Sequence, residues 1–528
     1  MTVDNQSQTV ESNSESKLSL SGDANTTDQD TFIRSRTWIP VRFTQTMWTL
    51  WILSVCALIV WTWRGGTFGV PSDIDIAWIP TQLFSIDGLT LIIWVAATFF
   101  SGIIHSYARR YLAGEQHQNR FFLSAFGFTV AVIILIVANH IVIFTLSWMI
   151  MGLLMTALIG HNRGWSQAQM AASFARRYFL ISGTLIAVAG GVLWWTADVV
   201  TIDAAVGADV ISGLSSLTIA SVTIILVLAA MIQSALIPFH TWMLSSMTAP
   251  TPASALMHAG FVNAGGILLV RFGPIIEADT RLLIFIMLIG ALSALGGKFL
   301  KTVQSDVKRK LGCSTIGQMG FMIMQVGLGF FAAAIAHLIL HGCYKAYQFL
   351  SVGDTVKHVT PETVHEKTES KSELTISRII ITAIIAIIGG GVFTFITGKG
   401  ATLDSGLLLS GLIVITTLHA TQRILQHTTI AKHLRYGAIM IVFIPAIGVY
   451  GLLYAGIASI MEIGGVTPAV PTELTIAHGI VAGGFLISYV VIETEIYRRS
   501  HRLYVLLMNI SQPPGETLLT TTEEYDDH

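Results

Sequence analysis

The sequence predicts an all-α polytopic membrane protein with about 14 transmembrane helices. Three observations predict it. The 528-residue chain is 53% hydrophobic and only 12% charged, whereas soluble domains carry about 25% charged residues. Apolar runs of roughly 20 residues, enough to cross a hydrocarbon core as a helix, recur along most of the chain. Lys and Arg are sorted between alternate loops, as topology demands. Backbone groups in lipid must be satisfied internally, so only helices or a closed barrel can span it. These runs are too long and too continuous for barrel strands.

In chain order, residues 1–30 are rich in Ser, Thr, Asn, Asp and Gln and hold no apolar run of the signal-peptide kind. They predict a disordered cytoplasmic tail, 1–44. Apolar segments follow near 45–63, 88–107, 121–139, 141–159, 178–197, 214–238 and 251–273. Seven more lie near 282–300, 311–330, 331–350, 376–397, 405–421, 436–459 and 476–495. With this count, 25 of the 30 Lys and Arg residues fall on one side and only Arg64, Arg281 and Lys399 on the other. Arg271 and Lys345 lie inside spans. The bias places both termini in the cytoplasm. The longest loop, 351–375, reads as a solvated Lys/Glu/Ser connector. No soluble domain of useful size is expected. A net charge of −1 leaves no overall basic face for nucleic acid. Cys56, Cys313 and Cys343 are far apart, and no metal-ligand spacing or disulfide framework is indicated. No cofactor is expected in this chain.

The stretch from Ser234 to Arg271 carries the most information. Pro238 and His240 close one apolar segment, and a Pro250/Pro252 turn follows. The next segment holds His258, Asn263 and the pair Gly265–Gly266. Polar groups at membrane depth are costly and are usually kept for a function. A second interruption is expected at Gly389, Gly390 and Gly391, although small residues also serve as helix-packing faces. His337, His341 and Lys345 recur at i, i+4 and i+8, a single helical stripe about 12 Å long. Inserting a lysine near a bilayer centre costs roughly 2.5–3.5 kcal/mol. An ammonium stripped of water releases its proton more easily, and histidine titrates near neutrality without help. The stripe therefore reads as a proton relay, with structural polar packing as the alternative. Lys298 ends the eighth segment as a further ion-translocation residue or as a snorkelling anchor. Asp87 opens the second segment and suits a helix N-cap.

Four motifs together resemble the antiporter-like subunits of respiratory complex I and the Mrp cation antiporters. They are HSYARRYLAGEQHQNRFF, QSDVKRKLGCSTIGQMGFMIMQ, FAAAIAHLILHGCYKAYQFLSVG and MHAGFVNAGGILLVRFGP. The resemblance covers about residues 85–400. The last motif and the tail HRLYVLLMNIS look most like the DabB-type membrane subunit of inorganic carbon pumps. The resemblance implies two inverted five-helix repeats containing broken helices, at 121–273 and 274–421. N-terminal helices at 45–120, C-terminal helices at 422–497 and a short cytoplasmic tail at 498–528 would flank them. The expected breaks, at Pro238 and at Gly389–Gly391, lie five spans apart, an odd offset that suits inversion. The resemblance also puts His258 on a polar axis with His337, His341 and Lys345.

Two positions depart from the family. Where its first half-channel has a Glu in the fourth span and a Lys in the sixth, this chain has Met149 and Gln233. Neither ionises, so a first half-channel working as in complex I is not expected. The implied function is H⁺ or Na⁺ translocation energising a partner: a cytoplasmic DabA-like, zinc-binding, carbonic-anhydrase-like subunit that makes bicarbonate. One charge falling through 150 mV would release about 3.5 kcal/mol, roughly a 300-fold accumulation. The zinc hydration site would belong to the partner, and this chain would be a transporter subunit rather than an enzyme. The alternatives are a proton- or sodium-translocating subunit of a complex I-like or Mrp assembly, and a scaffold that has lost its channel.

Overall fold

The computed structural model describes residues 24–66, 83–355, 376–426, 432–494 and 496–517. Among them the secondary structure is helical, apart from three isolated bridges at Phe84–Ala138, His140–Thr201 and Asp404–Glu473. The helices are α1 (Ala24–Trp63), α2 (Gly88–Tyr111), α3 (Gln118–Val137), α4 (Ile141–Ile159), α5 (Ser166–Ala197) and α6 (Ser216–Gln233). A broken pair follows, α7 (Thr251–Ala259) and α8 (Ala264–Arg271), joined by a 3₁₀ turn at Phe261–Asn263. Then come α9 (Thr280–Thr302), α10 (Val307–Gly327), α11 (Phe331–Thr355), α12 (Ile376–Thr397), α13 (Ser405–Gln426), α14 (Lys432–Ile463), α15 (Ile476–Glu493) and the short amphipathic α16 (His501–Ile510). A helix lies over each of the fourteen expected segments.

Among the described residues, nine helical segments are long and apolar enough to cross a membrane, and three shorter apolar helices lie at Ala383–Thr397, Ser405–Thr416 and Ile476–Ile492. The expected spans that fall in neither group are α10 and α11, which carry the Lys/Arg/Gln and His/His/Lys residues. These polar side chains lower their hydropathy.

Three expectations change. The tail is not disordered as far as residue 44, because α1 is helical from Ala24; residues 1–23 lie outside the described residues, as does most of the 351–375 connector. Gly389, Gly390 and Gly391 do not break a helix, since α12 runs unbroken from Ile376 to Thr397. Glycine keeps its backbone N–H and weakens a helix by only about 1 kcal/mol. Here Gly390 allows close packing instead: a Cβ on it would lie 2.6 Å from Val414 of α13. The missed break is in the seventh segment, where the helix stops at Ala259 and restarts at Ala264. Pro238 itself sits in a gap, between the end of α6 at Gln233 and a short helix at Thr241–Ser245.

The core of the molecule surrounds α7, α8, α10 and α11. The tightest pair is α9 with α10. A Cβ on Gly297 would lie 2.2 Å from the Gly317 nitrogen, and one on Gly327 would lie 2.2 Å from the Met287 nitrogen. Only glycine permits that backbone approach, a common device between membrane helices.

At the end of the bundle where α2 begins, Asp87 caps that helix by accepting from Thr90 N at 2.6 Å. Its other oxygen is 3.7 Å from the buried Arg271 guanidinium at the end of α8. Arg271, a cation inside an expected span, is thereby paired.

Candidate functional site: a buried polar axis

The helical spacing of His337, His341 and Lys345 puts them on one face of α11. The face is buried because α7, α8 and α10 pack on it. Gly342 lets α11 approach the break between α7 and α8: a Cβ there would lie 2.5 Å from the Phe100 ring and 3.0 Å from the Ala259 carbonyl oxygen. The His337 and His341 rings lie 5.8 Å apart, nearly parallel at 18°. Phe321 of α10 covers His337 at 5.5 Å.

Lys345 is wholly buried. Its Nζ donates to the Leu311 carbonyl of α10 at 3.1 Å, and that carbonyl also accepts from the Thr315 hydroxyl at 3.0 Å. No carboxylate pairs with Lys345 among the described residues. A buried amine with a single carbonyl partner keeps most of its desolvation penalty, since an ammonium has three donors to satisfy.

His258 lies in the last turn of α7, also wholly buried. Its ring stacks on Phe349 of α11 at 4.4 Å and 10°. Lys345 is its electrostatic neighbour. His341 has three such neighbours: His337, Lys345 and His258. The structure thus brings together four of the five expected ion-translocation residues. The fifth, Lys298 of α9, is half-buried. The cation whose charge reaches Lys345 from α9 is Lys301, one turn further on. Sequence reading missed it because Lys301 looks like an ordinary positive anchor at a helix end.

Unpartnered polar atoms cluster along this axis. Both nitrogens of His258, Nε2 of His337 and of His341, and Oδ1 of Asn263 find no hydrogen-bond partner. Gln325 Oε1 is likewise unpartnered, while its amide donates to the Tyr450 hydroxyl at 3.1 Å. A single such group costs roughly 1–3 kcal/mol. Five residues carrying one lie along two packed helices and a helix break.

The departures from the family sit in a different environment. Met149 of α4 lies over Gly183 of α5, where a Cβ would come within 2.6 Å of it. Gln233, at the end of α6, is wholly buried and donates weakly to the Phe261 carbonyl at 3.5 Å. Phe179, Trp242 and Phe261 close around this region, with centroids 4.6 to 6.0 Å apart. Trp148 donates to the Ser182 hydroxyl at 3.1 Å, and Ser182 donates to the Ala229 carbonyl at 2.9 Å. The neighbourhood is aromatic and neutral, although Gln233 Oε1 finds no hydrogen-bond partner among the described residues.

A further buried histidine escaped sequence reading. His105 of α2 bonds the Ser101 carbonyl at 2.8 Å, and the Ser101 hydroxyl meets that of Thr129 at 2.7 Å. A lone histidine on an apolar helix gives no pattern to detect.

Comparison with known proteins places the chain. The family model described as NADH:quinone oxidoreductase/Mrp antiporter, TM, matches residues 138–424. A second, the N-terminus of complex I chain 5, matches residues 78–122. The chain is 35% identical over 295 residues to a probable inorganic carbon transporter subunit DabB1 of Halothiobacillus neapolitanus, covering 55% of this chain and 53% of that one. It is 37% identical over 268 residues to a probable DabB subunit of Bacillus subtilis, covering 50% and 53%. The chain thus spans about half the length of these curated relatives. In fold it is similar to the Mrp complex of a Dietzia species, with TM-score 0.53 and 20% identity over 94% of this chain and 53% of that one. The break at His258, the His-His-Lys helix and the matched family model lead to one assignment: this multi-pass membrane chain belongs to the NADH:quinone oxidoreductase/Mrp antiporter family.

Proposed function

We propose that this protein is the ion-translocating subunit of a two-part inorganic carbon pump in a bacterial cytoplasmic membrane, with fourteen spans and both termini cytoplasmic. The observation that carries the proposal is Lys345: wholly buried, without a carboxylate among the described residues, and in register with His341 and His337 beside His258. A structural lysine would be paired; one held by a single carbonyl is available to exchange a proton. Nε2 of His337 and Nε2 of His341 have no hydrogen-bond partner among the described residues, and the ring centroids are 5.8 Å apart; transfer between them goes through a bridging water. Rotation or hydration at the α7–α8 break would then connect His258 to the stripe, in keeping with sites at discontinuous helices. The route lies in the 274–421 unit and its contact with α7, because the 121–273 unit is filled around Gln233 by Phe179, Trp242 and Phe261.

The similarity to DabB subunits supports a carbon-pump role. In that role a cytoplasmic zinc-binding partner would hydrate carbon dioxide while ion entry through this chain makes the step one-way. Membership of the wider family supports a second reading, a proton- or sodium-translocating subunit of a complex I-like or Mrp assembly.

The experiment is affinity purification of the intact complex, followed by ion flux in proteoliposomes. A co-purifying zinc protein, with flux lost at least tenfold in Lys345→Ala, is the expected result. Several quinone-linked subunits in its place would favour the second reading. Undiminished flux in Lys345→Ala would remove the site.

A further inference from the structure

We propose that the groove between α2 and α11 is a binding site for one anionic phospholipid. It encloses about 640 Å³ and is walled by Phe99, Ile103, Tyr107 and Arg110 of α2 and by Cys343 and Tyr347 of α11. Its floor is the close approach at Gly342. Its mouth is open outward: Tyr347 is 71% exposed and Cys343 is exposed.

Length and charge each select a lipid. From Phe99 to Arg110 the helix rises eleven residues, roughly 17 Å. One leaflet's share of the hydrocarbon core is about 15 Å. A chain lying along the groove would run from mid-membrane to the surface and end at Arg110. An acyl chain fits a groove of this length. At the surface end, Arg110 is exposed in the last turn of α2. The stacked Tyr107–Tyr111 pair, centroids 5.6 Å apart, sits at the same level, where aromatic side chains favour the headgroup zone. Among the described residues no carboxylate lines the groove. A basic group above an apolar slot between membrane helices is suited to an anionic headgroup. The lipid would lie against the back of the helix that carries His337, His341 and Lys345. The inference does not depend on what ion those residues move.

The test is lipid retention by the full-length protein in mild detergent, read by native mass spectrometry after exchange into mixed phosphatidylglycerol and phosphatidylcholine. The wild type is expected to keep phosphatidylglycerol at least tenfold over phosphatidylcholine. Arg110→Gln should cut this retention at least fivefold, and Cys343→Trp, which fills the slot, should do the same. Arg110→Lys should keep most of it. Arg109→Gln removes a neighbouring charge outside the groove and should leave retention unchanged. Equal losses in Arg109→Gln and Arg110→Gln would reduce the effect to surface charge and overturn the site. So would an unaffected Cys343→Trp, equal binding of both lipids, or a polypeptide segment found seated in the groove.

Discussion

At the residue scale, Lys345 and Gly342 decide the site in opposite ways. Lys345 carries a cost that the fold repays poorly, since among the described residues its Nζ donates to one carbonyl, at 3.1 Å. Replacing a poorly paired buried charge with an apolar side chain of similar volume is often neutral or stabilising. Lys345→Met is therefore expected to leave thermal stability in detergent unchanged or raised while ion flux is lost. A melting temperature lowered by several degrees would instead mark the lysine as structural packing. Gly342 contributes by having no side chain. Gly342→Ala would force its new carbon against Phe100 at 2.5 Å and the Ala259 carbonyl at 3.0 Å. The expected loss is about 1–3 kcal/mol, measured by thermal unfolding, with part recovered by adding Phe100→Leu.

At the element scale, neighbouring glycines of α12 play different parts. A Cβ on Gly390 meets Val414 at 2.6 Å, and one on Gly391 meets open space. Gly390→Leu should destabilise the protein, whereas Gly391→Leu should be tolerated or slightly stabilising through better helix propensity. Equal effects would mean that α12 and α13 do not pack in this register.

The turn after α4 offers a pH test outside the spans. Burial, and then the charges of Arg120 and His117, push the His161 imidazole down to about 4. Its contact with Glu115 at 3.8 Å is thus a contact with a neutral ring near pH 7. The unfolded chain protonates this histidine near 6.5 and the folded chain only near 4. Stability from this group is complete above pH 6.5 and falls as pH drops toward 4. His161→Gln should flatten the dependence of melting temperature on pH across that window; an identical profile in the variant would exclude His161 as its source.

At the scale of the whole molecule, the two halves of the family fold are unequal. One is filled by Phe179, Trp242, Phe261 and a neutral Gln233; the other keeps Lys345 and the Nε2 atoms of His337 and His341, which have no partner among the described residues. Gln233→Leu is accordingly expected to leave proteoliposome flux within about twofold of wild type, while His258→Ala lowers it at least tenfold. A large loss in Gln233→Leu would return the first half to the path. The tight α9–α10 glycine seam and the Arg271–Asp87 pair, at 3.7 Å, brace the framework on either side of the axis.

Much of this was legible in the chain itself. Helical class, the positions of the membrane segments, and the His337–His341–Lys345 stripe follow from composition and spacing, because a helix in lipid must satisfy its own backbone and repeats every 3.6 residues. The family was legible from motif strings alone. The location of the helix break was not. Three consecutive glycines look like a break and yet continue α12, while the real interruption at Phe261–Asn263 follows a single glycine. Glycine permits a break without requiring one, and the decision falls to what packs around it. Nor could spacing along one chain show that Lys301 reaches Lys345, that His258 stacks on Phe349, or that Gln233 is walled in by aromatics. Those are contacts between helices far apart in sequence, and only their packing brings such groups together.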